Sequence, residues 1–333
     1  MSTPIAIRTN SLCYQYQSAC ILNKLSIEVE KGAIYGFLGP NGAGKTTTIK
    51  LLLGLLKAKK DSIYILGQDI ATHKRAILSK VGALIETPSL YEHLTGWDNL
   101  NFLKIIFQRT DARIEEVLHT VGLLKEAHKK VKNYSLGMKQ RLGIAIALFN
   151  DPEILILDEP NNGLDPIGVH EIRILLEEIR QQGKTILVSS HIIAEIEKTC
   201  THIGIIHHGE LLFQNRIDQI KEASAQKMRI KTNKLLEALQ ICALHGIKAN
   251  SIDKRHIEIV YSGEDTFNSI IHLLIKAGVN IFDLERIHTS VEDFFIDLVN
   301  KKNGSNKASQ HADDTFMKRI IEPRKNELIL ETH

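Results

Sequence analysis

The sequence has few cysteines and no cysteine motif. Only 4 of its 333 residues are cysteine, and no two of them form a C-x-x-C pair. This spacing excludes a dense disulfide framework and a zinc ribbon, and it is typical of a protein in a reducing cytosol. We therefore assign no role to the four cysteines, which are Cys13, Cys20, Cys200 and Cys242.

Long apolar runs and a strong net charge are also absent. The apolar run over 143–149 is far shorter than the ~20 residues of a membrane-spanning helix. The first residues lack the basic start and apolar core of a signal peptide. The net charge of +3 argues against a dedicated nucleic-acid-binding protein. We expect a chain that is not exported and that relies on another chain for any membrane span.

The sequence does contain a complete phosphate-binding loop. Residues 39–47 match the pattern G-x-x-x-x-G-K-[ST], between a predicted strand over 33–38 and a predicted helix over 47–56. Glycines let backbone N–H groups turn toward phosphate oxygens, Lys45 adds positive charge, and the Thr46 hydroxyl suits Mg²⁺. A glycine-rich turn that binds nothing is disfavoured by this context. The residues predicted to bind ATP are Gly39, Asn41, Gly42, Gly44, Lys45, Thr46 and Thr47.

Two carboxylates follow a second apolar strand. The strand over 154–157 is followed directly by Asp158 and Glu159. A carboxylate at such a strand end can orient a magnesium ion, and the next one can accept the proton of an attacking water. We predict that Asp158 is a metal ligand and that Glu159 is the general base of ATP hydrolysis.

His191 is the candidate for a further catalytic residue. It follows a predicted strand over 185–189, at the carboxyl end where open parallel sheets bind ligands. A neutral imidazole there can donate a hydrogen bond to the γ-phosphate. Position alone is not sufficient evidence, because His207 and His208 also end a predicted strand.

The order of predicted elements indicates an α/β protein with more than one part. Strands separated by helices predict a parallel sheet in an ATPase domain over 1–218, with a helical subdomain inserted at about 91–150. The order strand-helix-strand-strand-helix-strand predicts a small α+β, ferredoxin-like domain over 219–300. The charged residues 301–333 are predicted to be a disordered tail.

A further segment, Tyr134-Ser135-Leu136-Gly137-Met138-Lys139-Gln140-Arg141, predicts a helix that begins after a serine. With the phosphate loop, the two carboxylates and the histidine, it resembles the ATP-binding subunits of ABC transporters over most of residues 5–215. The resemblance implies a P-loop NTPase fold and a head-to-tail dimer, most simply a homodimer. In that dimer Ser135, Gly137 and Gln140 would meet the ATP of the second subunit. Tyr16 would stack on adenine, and Asp165 would belong to the loop called the D-loop.

Three residues depart from the common family pattern. Leu136 replaces a glycine, Glu86 replaces a glutamine, and Asn161 replaces a threonine. The first two resemble the subgroup that exports bacitracin-type and lantibiotic peptides. We predict that Glu86 is a carboxylate ligand of the metal and couples the ATP site to the membrane partner, with drift at a tolerant position as the alternative.

The resemblance implies the ATPase subunit of an exporter that removes an antimicrobial peptide, for resistance or self-immunity. Its partners would be a polytopic membrane permease and a second ATPase subunit, at the cytoplasmic face of the membrane and without nucleic acid. One alternative is a non-transport ABC ATPase acting on DNA or ribosomes, although neither a coiled-coil insertion nor a second ATPase domain is visible. Another is an ABC exporter of an unrelated substrate. A regulator that binds ATP without turnover is disfavoured by Lys45, Asp158 and Glu159.

Overall fold

A computed structural model describes residues 3–223, 226–261 and 263–287 of the chain. The described residues form two compact units, 3–216 and 217–287. The predicted tail over 301–333, and the end of the predicted C-terminal domain, lie outside the described residues. Among the residues that are described, no helix combines the length and the hydropathy that crossing a bilayer requires.

The first unit alternates strands and helices. Its strands are β1 (Ile5–Thr9), β2 (Leu12–Tyr16), β3 (Ala19–Leu25), β4 (Glu28–Glu30), β5 (Ile34–Leu38), β6 (Ile63–Ile65), β7 (Gln68–Asp69), β8 (Val81–Leu84), β9 (Ile154–Leu157), β10 (Thr185–Ser190), β11 (His202–His207) and β12 (Glu210–Arg216). Its helices are α1 (Lys45–Leu52), α2 (Ile70–Leu78), α3 (Gly96–Phe107), α4 (Asp111–Thr120), α5 (Leu136–Leu148), α6 (Pro166–Gln181) and α7 (Ile193–Thr199).

A six-stranded sheet determines where the functional groups lie. Its order is β12-β11-β5-β10-β9-β8, and all its pairs are parallel except that between β11 and β12. Every residue of β5, β9 and β10 is buried, as expected of central strands in a parallel sheet. Because these three strands are neighbours, the loops at their carboxyl ends lie side by side. Those loops carry the phosphate loop, the two carboxylates and His191.

A smaller sheet packs on the same core. Its order is β4-β1-β6-β7 with antiparallel pairing, and β2 and β3 form a separate hairpin. Ile7 of β1, Leu22 of β3, Phe37 of β5 and Ile49 of α1 belong to one cluster of fully buried side chains. This cluster packs α1, the helix that follows the phosphate loop, together with strands of both sheets.

The predicted helical insertion lies between β8 and β9. Helix α3 begins with a capping box in which the Thr95 hydroxyl accepts a hydrogen bond from the Asp98 N–H at 3.0 Å and the Asp98 carboxylate accepts one from the Thr95 N–H. Gly122 follows α4 with φ of +67°, as expected of a glycine that ends a helix. The insertion ends in α5, which returns the chain to β9.

The second unit has the predicted ferredoxin-like order. Its elements are α8 (Ile217–Ala223), β13 (Gln226–Thr232), α9 (Leu235–Leu244), β14 (Ala249–Ser251), β15 (His256–Tyr261), α10 (Gly263–Lys276) and β16 (Ile281–Ile287). The strands form an antiparallel sheet in the order β14-β15-β13-β16. Alternate residues of β15 are buried, so that Ile257, Ile259 and Tyr261 contribute to a core of this unit's own.

Candidate functional site

The phosphate loop borders a cavity of about 470 Å³. The loop follows β5, and its turn needs left-handed backbone at Gly42 (φ +82°) and Gly44 (φ +108°). A Cβ on Gly44 would also lie 2.6 Å from Cδ2 of Leu22, so this position needs glycine for both reasons. The residues that line the cavity are Ile21, Pro40, Asn41, Gly42, Gly44, Lys45, Thr46, Thr47, Glu159, Asn162 and His191.

Lys45 is held firmly within the loop. Its ammonium donates to the carbonyl oxygens of Gly39 at 2.7 Å and Pro40 at 3.3 Å. It also lies 3.1 Å from Oε1 of Glu159, and its side chain is only 6% exposed. Gly39, which was predicted to bind ATP, does not line the cavity, and its carbonyl group accepts the hydrogen bond from Lys45. This arrangement keeps a positive charge at a fixed point beside the cavity.

The predicted metal ligands Thr46 and Asp158 are in direct contact. The Thr46 hydroxyl donates to Oδ2 of Asp158 at 2.8 Å, and the Ser189 hydroxyl donates to Oδ1 at 2.6 Å. Asp158 is 1% exposed. A hydroxyl and a carboxylate are hard oxygen donors of the kind that bind Mg²⁺ together with substrate phosphates. No cluster of three or more acidic, histidine or cysteine side chains able to hold a metal occurs in the described part of the chain.

Glu159 and His191 form a second pair at the cavity. Nδ1 of His191 lies 2.9 Å from Oε2 of Glu159. This contact raises the pKa of His191, against the opposing effect of burial. Burial alone would raise the pKa of Glu159, but the hydrogen bond from His191 and the charge of Lys45 lower it. The contact therefore favours the protonated imidazole and the ionised carboxylate together.

Tyr16 and Glu86 lie elsewhere. Tyr16, at the end of β2, is 61% exposed and is not among the residues that line the cavity. Glu86 has a side chain that is 64% exposed, and its Oε1 lies 3.2 Å from Nζ of Lys50 on α1. Its contact in this structure is therefore with Lys50, whereas Thr46 and Asp158 contact each other.

The residues of the segment over 134–141 face in different directions. The Ser135 hydroxyl caps α5 by accepting a hydrogen bond from the Met138 N–H at 3.2 Å, and Ser135 is exposed. Gly137 is half-buried. Gln140 is only 2% exposed, and its Oε1 has no hydrogen-bond partner among the described residues. Gln140, which the family resemblance implies would meet the ATP of the second subunit, is turned into the interior of its own chain by α5.

Asp165 caps the next helix. Its Oδ1 accepts a hydrogen bond from the Gly168 N–H at 2.8 Å, at the start of α6. The preceding turn contacts α5, since a Cβ placed on Gly163 would lie 3.1 Å from Cδ2 of Leu136. The start of α5 and the start of α6 are therefore neighbours in one chain.

Comparison with known proteins identifies the family. Residues 22–162 match the family described as ABC transporter. The chain is 40% identical over 296 residues to the bacitracin transport ATP-binding protein BcrA of Bacillus licheniformis, covering 88% of this chain and 97% of BcrA. This chain belongs to the ATP-binding proteins of ABC transporters. It is also 41% identical over 212 residues to the lantibiotic transport ATP-binding protein SrtF of Streptococcus pyogenes, covering 64% of this chain and 91% of SrtF.

Solved structures agree with the fold of this ABC ATP-binding protein. An ATP-binding subunit of an ABC transporter has a TM-score of 0.58 at 30% identity, covering 65% of this chain and 92% of that one. CbiO1 of Clostridium perfringens, part of the ABC transporter complex cbiONQ, has a TM-score of 0.60 at 26% identity, covering 65% of this chain and 90% of CbiO1. The predicted fold class and the predicted family are confirmed, and the protein is an ATPase that binds and hydrolyses ATP.

Sequence reasoning missed several residues of this ABC ATP-binding protein. Pro40 and Asn162 border the cavity. Pro40 lies within the phosphate loop and Asn162 lies three residues after Glu159, so their positions in the sequence could have predicted their place at the site. Ile21 comes from β3 and has no local signal, because only the packing of the hairpin brings it to the cavity. Ser189 was also missed, although it lies only two residues before His191. Its hydroxyl accepts a hydrogen bond from the Glu159 N–H at 2.8 Å.

Proposed function

We propose that this ABC ATP-binding protein drives the export of an antimicrobial peptide of the bacitracin or lantibiotic type. The observation that carries the proposal is the extent of the similarity to BcrA, which spans 97% of BcrA and continues well beyond residues 22–162. The similarity to SrtF supports the same substrate class. Export of the peptide would give resistance to the cell or immunity to a producer.

We propose a distinct task for each group at the site. Thr46 and Asp158 would hold Mg²⁺, which when bound neutralises charge on the triphosphate. Lys45 and the N–H groups of the loop bind the phosphates. Glu159 aims and deprotonates the attacking water, and its lowered pKa keeps it ionised for that role. His191 orients Glu159 and donates a hydrogen bond toward the γ-phosphate.

A second ATPase subunit accounts for the exposed start of α5. A helix N-terminus with a serine hydroxyl is a good site for a phosphate. Neither Ser135 nor Gly137 is among the residues that line the cavity of their own chain. In the proposed dimer these two residues meet the ATP bound by the other subunit.

The membrane partner is proposed to be a polytopic permease that contacts the helical insertion. Ile105 and Ile106 of α3 are 70% and 68% exposed. Phe102 is 49% exposed, and its ring lies 5.5 Å from that of Tyr91, which is 58% exposed. Exposed apolar side chains grouped in this way are typical of a binding surface. Docking there would hold the chain at the cytoplasmic face of the membrane.

The proposal is tested in a peptide-sensitive host. The full chain is expressed together with a candidate polytopic permease, and the inhibitory concentrations of bacitracin and of a lantibiotic are measured. We expect tolerance to at least one peptide to rise several-fold, and Glu159→Gln to abolish the rise. Unchanged tolerance to both peptides, with ATP hydrolysis stimulated by an unrelated substrate, would overturn the peptide assignment. Co-sedimentation with ribosomes or DNA would overturn the transport assignment.

A further inference from the structure

Two loops at the cavity are joined by a hydrogen bond that lies outside the cavity lining. Asn161, in the loop after β9, donates from Nδ2 to Oε2 of Glu195 at 2.9 Å. Glu195 lies in the first turn of α7, directly after the loop that carries His191. Asn161 follows Glu159 closely in sequence, so the bond connects the segments that hold the two proposed catalytic side chains.

Each end of this bond is anchored. The Asn162 N–H donates to the Glu159 carbonyl at 3.1 Å and the Leu164 N–H donates to the Asn161 carbonyl at 3.1 Å, so the loop after β9 is a compact turn. At the other end, the Ser190 hydroxyl lies 3.5 Å from Oε2 of Glu195. A displacement of Asn161 would therefore also displace the backbone of Glu159.

The chemistry of the two side chains sets the direction of the bond. An ionised carboxylate can only accept, so the amide of Asn161 must turn its Nδ2 toward Glu195. This orientation leaves Oδ1 of Asn161 buried without a hydrogen-bond partner among the described residues. A buried unpaired oxygen is costly, and the bond to Glu195 compensates for it.

The bond gives the two loops a point of attachment beyond Glu159. The other contacts lie at the strand ends, where Nδ1 of His191 lies 2.9 Å from Oε2 of Glu159 and the Ser189 hydroxyl accepts a hydrogen bond from the Glu159 N–H at 2.8 Å. The bond between Asn161 and Glu195 extends this attachment to the turn that follows Glu159 and to the first turn of α7. Glu159 needs such support because its φ of +50° lies in the left-handed region, which costs a residue with a side chain about 1 kcal/mol or more.

We propose that Asn161 and Glu195 are positioning residues whose hydrogen bond holds Glu159 and His191 in the geometry required for ATP hydrolysis. The inference rests on the proposed function, because it takes Glu159 and His191 as the catalytic pair. It assigns a use to Asn161, one of the departures from the common family pattern, and it adds Glu195 to the site.

An exchange of the two partners tests the bond. Asn161→Asp places two carboxylates against each other, so we expect the kcat for ATP to fall about tenfold or more. The KM for ATP should change less than about threefold, because Lys45 and the phosphate loop are untouched. In the double variant Asn161→Asp/Glu195→Gln the amide and the carboxylate have exchanged places, and kcat should return to within about threefold of wild type.

Glu178→Gln is the matched control, since Glu178 is an exposed carboxylate on α6 that lies outside this pair. All four proteins are assayed as the full chain in complex with its permease. A wild-type kcat for Asn161→Asp, or a double variant no more active than Asn161→Asp, would overturn the inference.

A second measurement does not depend on catalysis. Hydrogen exchange of the segment 159–165, followed by mass spectrometry, should be faster in Asn161→Asp and return toward the wild-type rate in the double variant. If Glu159→Gln kept full turnover, the proposed catalytic roles would fail while this exchange pattern would persist. If exchange were the same in Asn161→Asp and wild type, the positioning bond itself would be refuted.

Discussion

The ammonium group of Lys45 lies 3.1 Å from Oε1 of Glu159, and the two side chains are only 6% and 20% exposed. The phosphates of ATP also bind the ammonium group of Lys45, so ATP has to compete with Glu159 for it. In a poorly solvated site this competition is stronger than it would be in water. The pair therefore couples the binding of ATP to the residue proposed as general base.

Glu159→Gln should separate binding from turnover. Removing the carboxylate leaves Lys45 free for phosphate, so we expect ATP to bind a few-fold more tightly, while phosphate release falls about 10²–10⁴-fold for lack of a base. Binding of a fluorescent nucleotide and release of phosphate measure the two effects. Lys45→Ala is the control, since it should lose binding itself. Unchanged phosphate release in Glu159→Gln would refute the assignment of the base.

The contact between His191 and Glu159 predicts a pH dependence. The pKa of His191 is raised above 6.5. The protonated imidazole therefore contributes fully to the free energy of unfolding below pH 6.5, and this contribution is lost as the pH rises through the raised pKa. The pKa of Glu159 is lowered below 4.5. The ionised carboxylate therefore contributes fully to the free energy of unfolding above pH 4.5, and this contribution is lost as the pH falls through the lowered pKa.

An NMR titration of the His191 imidazole checks this dependence. In Glu159→Gln the ionised partner is gone, and we expect the pKa of His191 to fall. Signals of histidines remote from the cavity should titrate alike in both proteins. The same pKa for His191 with and without the carboxylate would show that the contact does not form in solution.

Glu86→Gln should change metal dependence more than stability. The pair with Lys50 is exposed, so its loss should alter the free energy of unfolding by less than about 0.5 kcal/mol. If Glu86 turns to the metal during turnover, the Mg²⁺ concentration for half-maximal ATP hydrolysis should rise a few-fold. Lys50→Gln is the control, since it breaks the pair and keeps the carboxylate. Identical magnesium titrations and transport in Glu86→Gln would refute a role for the carboxylate.

The contact between Leu136 and Gly163 can be measured by a double-mutant cycle. In Gly163→Ala the alanine has to adopt a φ of +76°, and its Cβ lies 3.1 Å from Cδ2 of Leu136. We expect the free energy of unfolding to fall by about 1–2 kcal/mol. Adding Leu136→Ala should recover only part of the loss, because the backbone strain remains. Urea denaturation of the four proteins gives the coupling. Strictly additive effects would argue against the contact.

Gly204→Ala should destabilise the central sheet. A Cβ at this position in β11 would overlap the hydroxyl of Tyr35, which is fully buried and donates to Oε1 of Gln214 at 2.7 Å. We expect a loss of about 1–3 kcal/mol from overpacking. Tyr35→Phe in the same chain removes the nearest overlapping atom but leaves Cζ 2.7 Å from the added Cβ, so we expect it to restore only part of the loss, as measured by thermal unfolding. No recovery would contradict this account.

Residues close together in sequence carried most of the correct predictions. The phosphate loop, the strand ending at Asp158 and Glu159, and the alternation of strands and helices each depend on local chemistry and spacing. A strand, a glycine loop and a helix can be recognised without knowing their neighbours. The α/β fold, the ferredoxin-like second unit and the family followed from such local patterns.

The tertiary structure decided which of these pieces meet. The order β5-β10-β9 within the sheet brings Lys45, Glu159 and His191 together, and strand order is not written in any one segment. The rotation of α5 buries Gln140 while Ser135 stays exposed, although both belong to one motif. The bond between Asn161 and Glu195 likewise depends on two loops that become neighbours only when the sheet forms. Contacts between distant segments depend on packing, which local pattern does not specify.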